Sequence, residues 1–252
     1  MGKVYVFVNQ KGGVGKTTSA VNIGAYLAEE GKSVLLVDFD SQANLSSGMG
    51  IHPLKPGVYE LISGSAPIEK TIRSTAVSRL KVIPASIDLS GAAVELIEQQ
   101  DRDLFLRKAL EPVRRRYDYI LIDCPPSLGV LTLNGMAAAD AVFIPMQCEY
   151  FAMEGLSLLL QTIKRIQQGL NPSLDIEGIF FTMYDSRTRL AQDVVKQVSA
   201  YFKHKVFTTI IPRNVRLSEA PSHGIPISIY DPQCAGARAY QSLAREVIER
   251  GI

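Results

Sequence analysis

The sequence predicts an α/β fold: a single doubly wound, mostly parallel sheet with helices on both faces. Three observations predict it. Short apolar runs rich in β-branched residues alternate with longer segments of helical periodicity, which is the β-α-β-α order of such sheets. The strand runs are apolar throughout, as strands buried on both faces require. No composition break, repeat or low-complexity tract divides the 252 residues, so one domain spanning 1–252 is expected. With 46% apolar and 21% charged residues the chain can bury a sizeable core.

The elements follow in order. Val4-Tyr5-Val6-Phe7-Val8 reads as a buried strand, Asn9 to Gly15 as a glycine-rich turn, and Lys16-Thr17-Thr18 as the start of a helix. That helix repeats apolar or small residues at Ala20, Ile23, Gly24 and Leu27 and ends at Gly31-Lys32. Val34 to Val37 is a second strand, leading into Asp38-Phe39-Asp40-Ser41-Gln42. Residues 44–77 are rich in Gly, Ser and Pro and read as loop and small helices, with a short helical pattern from Val58 to Ile62. Leu80 to Pro84 is a third strand, and helical periodicity returns from Leu89 to Ile97 and from Leu104 to Val113. Arg114-Arg115-Arg116 then suits the negative end of a helix dipole. Tyr119 to Asp123, Ala141 to Pro145, Ile176 to Thr182 and Val206 to Ile211 are further strands. Helices are expected from about Tyr150 to Gln168, Leu190 to Phe202 and Ala235 to Glu249.

The first strand, turn and helix form a phosphate cradle. Turn amides and a helix N-terminus face an anion, and glycines let the backbone approach it closely. Against the pattern G-x-x-x-x-G-K-[ST], the first glycine position holds Gln10. Lys11-Gly12-Gly13-Val14-Gly15-Lys16-Thr17-Thr18 follows, a deviant P-loop with a second lysine inside the loop. Lys16 would neutralise β- and γ-phosphates, and the Thr17 hydroxyl would complete a Mg²⁺ shell. A dinucleotide fingerprint is excluded, because Thr18 stands where its third glycine belongs.

Two more strand ends carry acids. In an open α/β sheet ligands sit beyond the carboxyl ends of the strands, so Asp38 and Asp40 are expected to face the P-loop. Strand alternation points residues i and i+2 the same way, so one would serve the Mg²⁺ shell and the other would orient a water. Two aspartates capping a turn are the alternative. Asp123 ends the buried run Tyr119-Ile120-Leu121-Ile122 in the form of a Walker B motif, placed to hold Mg²⁺ through water. Pro125-Pro126 then makes a rigid turn that can respond to the γ-phosphate.

The net charge of +2 is uninformative, but its distribution is not. From Arg187 to Arg216 seven basic residues face one acid, Asp193, a balance of +6, whereas residues 1–150 hold fifteen basic and sixteen acidic residues. Such a local patch points to a polyanion. Its charges fall on a loop (Arg187, Arg189), a helix (Lys196) and the segment after the last strand (Arg213, Arg216), so folding could gather them. Few aromatic residues accompany them, so phosphate contact without base reading is expected. Cys124, Cys148 and Cys234 form no C-x-x-C pair, which fits a reducing cytosol. Single buried thiols are the commoner explanation, and a cluster shared by two subunits is the alternative. No signal peptide or myristoylation signal is visible, and no run reaches the ~18 apolar residues of a membrane helix, so a cytoplasmic protein is expected.

Five blocks together are specific: Lys11-Gly-Gly-Val-Gly-Lys-Thr-Thr, Val37-Asp-Phe-Asp-Ser-Gln, Ile122-Asp-Cys-Pro-Pro-Ser, Gln147-Cys-Glu-Tyr, and Ile211-Pro-Arg-Asn-Val-Arg-Leu-Ser-Glu-Ala-Pro-Ser-His-Gly. The chain resembles the ParA/Soj partitioning ATPases from Lys3 to about Glu249. The resemblance implies binding of ATP and Mg²⁺ and closure into an ATP-dependent homodimer, with Lys11 reaching the partner subunit's phosphates. A lysine supplied in trans could act as an arginine finger does, tying catalysis to dimerisation. It also implies slow hydrolysis stimulated by a ParB-type centromere-binding protein, and non-specific binding of double-stranded DNA with nucleoid association in the ATP form. By motif, Asp40 would orient the attacking water, Pro212 and Asn214 would contact adenine, and Arg187 would contact DNA. The chain begins two residues before its first strand, so the N-terminal DNA-reading extension of some plasmid members is expected to be absent. A MinD-like membrane-cycling ATPase of the same class would need a basic amphipathic C-terminal helix. The segment from Tyr240 instead carries two glutamates beside two arginines, so no membrane partner is expected. An iron–sulfur carrier ATPase would need paired cysteines.

Overall fold

The computed structural model describes residues 2–95, 101–149 and 152–251. Its strands are β1 (Lys3–Phe7), β2 (Val34–Asp38), β3 (Arg73–Ser74), β4 (Leu80–Ile83), β5 (Tyr119–Asp123), β6 (Ala141–Gln147) and β7 (Asp175–Thr182). The helices are α1 (Lys16–Glu29), α2 (Asn44–Gly48), α3 (Val58–Ile62), α4 (Ile68–Thr71), α5 (Leu89–Glu95) and α6 (Phe105–Leu110), then α7 (Val130–Ala138), α8 (Ala152–Gln167) and α9 (Arg189–Phe202). Two short helices, α10 (Arg216–Glu219) and α11 (Ile227–Tyr230), precede the long α12 (Ala235–Arg250).

One seven-stranded sheet runs in the order β3-β4-β2-β5-β1-β6-β7, parallel except for the two-residue edge strand β3. Alternate residues of each strand face opposite cores. Val4, Val6, Ile120, Ile122, Val142 and Ile144 lie in one. Tyr5, Phe7, Leu121 and Phe143 lie in the other, against Ile23 and Leu27 of α1 and Tyr240 and Leu243 of α12. The fold class is therefore the one the sequence predicts, and a parallel sheet covered on both faces explains why its strands read as unbroken apolar runs.

Three departures have physical causes. Val206 to Ile211 is not a strand: Phe207 N–H donates to Ile179 and Ile211 N–H to Phe181, but the Glu246 carboxylate takes the Thr208 and Thr209 amides (2.8 and 3.1 Å). The helix expected to reach Val113 stops at Leu110, and Glu111–Arg116 continues as a 3₁₀ turn with Pro112 at its start. Helix α7 went unread because it is buried nearly all round, including Leu131, Asn134, Met136 and Ala137, and shows no amphipathic stripe. The expected helix ends at Ile97 and Tyr150 lie outside the described residues.

Strand order positions the site. Neighbouring β1 and β5 bring the P-loop beside Asp123, and β2 on the far side of β5 brings Asp38 into register with Asp123. On the other flank, β6 and β7 deliver Gln147 and Thr182 to the same edge.

Candidate functional site

The loop after β1 is shaped by two left-handed glycines, Gly13 (φ 73°) and Gly15 (φ 83°), a conformation that L side chains rarely adopt. Gly15 is the N-cap of α1 and no side chain caps that helix, so its leading N–H groups remain available to an anion. The loop is anchored by its carbonyls and by Asn9. Thr182 Oγ1 donates to Val14 O (2.8 Å) and Gln147 Nε2 to Gly13 O (3.1 Å). Asn9 Nδ2 donates to Pro145 O (2.8 Å), while Asn9 Oδ1 accepts the Lys11 amide (3.0 Å).

A cavity of about 620 Å³ opens on this loop, lined by Gly12, Gly13 and Gly15 to Thr18 together with Asp40, Pro126 and Met183. Lys16 is buried at its floor, with Nζ donating to Asn9 O (3.1 Å) and Lys11 O (3.4 Å). Burial lowers its pKa, and the nearby Asp123 opposes that most strongly. Thr17 Oγ1 donates to Asp123 Oδ2 (2.6 Å), so the two expected cation ligands meet across 106 residues of sequence. Asp123 is buried, and burial followed by the charge of Asp38 pushes its pKa up to about 8. Its Oδ1 is a buried acceptor without a hydrogen-bond donor among the described residues. A hydroxyl, a carboxylate and an unsatisfied oxygen at a phosphate cradle fit a hydrated Mg²⁺.

Asp38 and Asp40 do not point the same way. β2 ends at Asp38, so strand alternation does not extend to Asp40. Asp40 reaches the cavity, where its Oδ1 accepts the Gln42 amide (3.0 Å). Asp38 is fully buried and gives Oδ2 to Ser46 N (2.9 Å) and Ser46 Oγ (2.6 Å), with Asp40 N on Oδ1 (3.3 Å). Its pKa rises to about 6 through burial, which the Ser46 hydrogen bonds oppose. Through these bonds Asp38 ties α2 to the strand end, and Ser46 Oγ also accepts the Ala85 amide (3.1 Å).

A second cavity of about 410 Å³ adjoins the first and shares Gly15, Thr18 and Met183 with it. Pro212 and Asn214 line it, about 200 residues from the loop in sequence, so the structure gathers the two positions that the resemblance assigns to a base. Lys11 turns away from the larger cavity, whose lining it does not join, and its ammonium pairs with Glu149.

The basic window is less positive than its sequence, because acids on either side of it fold back onto it. Arg187 is exposed but forks onto Asp185 (2.9 and 2.7 Å), holding that carboxyl well below the usual range. Arg216 on α10 pairs with Glu219 (2.8 Å), and Lys205 with Asp175 (2.8 Å). Arg189 opens α9 instead of lying in the loop, and Lys196 lies within that helix. Among the described residues Arg189, Lys196, Lys203 and Arg213 have no ion-pair partner. Arg213 N–H donates to Tyr184 O, which joins its segment to the Arg187 turn. Sequence reasoning missed Asn9, Ser46, Gln147 and Thr182, of which only Gln147 sat in a quoted block.

A family model described as an AAA domain matches residues 2–176. The chromosome-partitioning ATPase Soj of Treponema pallidum is 68% identical, over 99% of this chain and 98% of that protein. The sporulation initiation inhibitor protein Soj of Bacillus subtilis is 53% identical over all of both chains. Among solved structures, cobyrinic acid a,c-diamide synthase of Mycobacterium smegmatis with bound ADP and magnesium superposes with a TM-score of 0.87. It shares 38% identity over 100% of this chain and 96% of that one.

The Asp38–Ser46 contact yields a stability prediction. Ser46→Ala removes a donor from a buried carboxylate and an acceptor from the Ala85 amide, so it should destabilise the fold by about 1–3 kcal/mol. The urea midpoint reads this, and an unchanged midpoint would mean that Asp38 is satisfied without Ser46.

Proposed function

We propose that this chain, which belongs to the Soj/ParA family of chromosome-partitioning ATPases, is an ATP-driven DNA-partitioning enzyme. It binds ATP with Mg²⁺, closes on ATP into a homodimer and holds double-stranded DNA without reading sequence. A ParB-type centromere-binding partner stimulates its slow hydrolysis. The observation that carries this reading is that Lys16, Thr17 and Asp40 line one cavity of about 620 Å³, with Asp123 joined to it through the Thr17 hydroxyl. The single sheet with a core on each face supports one ATPase domain.

The resemblance and the position of each residue together support the following roles. Gly12, Gly13, Val14 and Gly15 supply the backbone cradle, Lys16 the charge for β- and γ-phosphates, and Thr18 a further amide of the first turn of α1. Thr17 and Asp123 would hold Mg²⁺, with Asp38 behind them as a support. When bound, the cation would neutralise charge on the β- and γ-phosphate oxygens during phosphoryl transfer. Asp40 lies at the cavity wall, where it orients the attacking water. Pro212 and Asn214 flank the base in the adjoining cavity. Lys11, turned out of its own cradle, serves the partner's phosphates, so full charge stabilisation waits for dimerisation.

DNA contact falls to Arg187, Arg189, Lys196 and Arg216. Arg187 and Arg216 must leave their carboxylate partners to reach phosphates, which keeps a single subunit's hold weak. Two subunits double the contacts, and counterion release makes affinity climb steeply with their number. Helix α12 weighs against a membrane role: Tyr240, Leu243, Ala244 and Val247 are buried in the core. No helix among the described residues is long and apolar enough to cross a membrane. Cys234 Sγ accepts the Ala237 amide at the start of α12, a structural use for one of the three thiols.

Asp40→Ala should leave ATP binding and dimerisation intact while turnover falls about 10²–10⁴-fold, trapping an ATP dimer. Normal hydrolysis by the purified variant would show that another group orients the water. Arg187→Ala should weaken DNA retention on every sequence and lower the log–log salt slope by about 1 per subunit, with the ATP dimer unaffected. Wild-type protein holding DNA equally with ADP and ATP, or normal binding by Arg187→Ala, would contradict the assignment.

A further inference from the structure

We propose that Glu149 is a positioning residue that holds Lys11 within the resting subunit and must release it before two subunits close on ATP. This rests on reading Lys11 as the group that serves the partner's phosphates. Glu149 lies two residues beyond β6 and 138 residues from Lys11, yet its Oε2 accepts the Lys11 ammonium.

The backbone on both sides fixes this encounter. Asn9 ties the Lys11 amide to Pro145 O, and Gln147 Nε2 holds Gly13 O, so the loop and the end of β6 are bound together around the pair. Glu149 N–H donates to Gln147 O (3.0 Å), turning the chain so that its carboxylate faces the loop. The two loop lysines are thereby sorted. Lys16 is buried and bonded inward, while Lys11 is 47% exposed and directed out of the cradle toward a carboxylate that is 53% exposed.

That exposure sets the strength of the contact. A half-exposed pair is weak, so the latch biases the loop without locking it. A γ-phosphate presents more charge than one carboxylate, so a partner's ATP can draw Lys11 away from Glu149. Among the described residues no other acid pairs with Lys11 and no other base with Glu149. Dimerisation on ATP therefore exchanges one contact in cis for one in trans.

The test measures the protein concentration for half-dimerisation with ATP and Mg²⁺ in four variants. Glu149→Gln keeps the shape and removes the charge, and should lower that concentration about two- to fivefold. Glu149→Asp keeps the charge and should move back toward wild type. Lys11→Ala should dimerise poorly, and adding Glu149→Gln to it should change nothing further. Unchanged or weaker dimerisation by Glu149→Gln, with Lys11→Ala impaired, would overturn the latch and leave the trans lysine standing. Wild-type dimerisation by Lys11→Ala would instead remove the reading on which the latch rests.

Discussion

The glycine loop has no regular structure of its own, and the whole site depends on the strand ends that grip it. Val14 O is held by Thr182 from β7, Gly13 O by Gln147 from β6, and Asn9 is tied to Pro145 within β6. Ordering a loop residue costs about 1–2 kcal/mol of backbone entropy, which these contacts offset before any ligand arrives. With the Gly13 and Val14 carbonyls anchored and no side chain capping α1, the loop and helix N–H groups are left available to a ligand. The cradle is thus organised by the sheet, and the parallel order β5-β1-β6-β7 is what brings every anchor to one edge.

The same edge concentrates charge where water is scarce. Asp38 and Asp123 are neighbours in register, both fully buried, and both are held above the ordinary carboxylate range by that burial. The two are relieved differently. Asp38 receives donors from Ser46 and Asp40, whereas Asp123 receives Thr17 and retains one bare oxygen. A cation at Asp123 would complete the set, which supports the proposal that Asp38 is an anchor and Asp123 a ligand. Charge on the outer rim follows another logic: Lys11, Arg187 and Arg216 each rest on a carboxylate of the same chain. Such exposed pairs are weak and exchangeable, which suits the proposed roles of these groups toward a partner's phosphates or DNA.

What was legible in the sequence was the structure carried by local patterns. The strand, glycine turn and helix start around Lys11 to Thr18, and the strand ending in Asp123, lie where their patterns predict because each follows the last along the chain. The equivalence of Asp38 and Asp40 failed because alternation holds only inside a strand, and β2 stops at Asp38. Val206 to Ile211 has strand composition, but Glu246 from α12 takes its amides, a competition invisible to local periodicity. Asn9, Gln147 and Thr182 went unread because they act on backbone carbonyls far along the chain, and nothing in their spacing signals that. The +6 of the basic window overstated its field, since Asp185, Glu219 and Asp175 stand just outside it and fold back onto its cations.

The most direct test of the anchored cradle is calorimetric titration of ATP into wild-type and Lys16→Ala protein, with and without Mg²⁺. Wild-type protein should bind one nucleotide per subunit, more tightly with Mg²⁺, and Lys16→Ala should lose tight binding in either condition because the phosphates lose their buried cation. Binding of ATP by Lys16→Ala at wild-type affinity would contradict the placement of the phosphates in this loop.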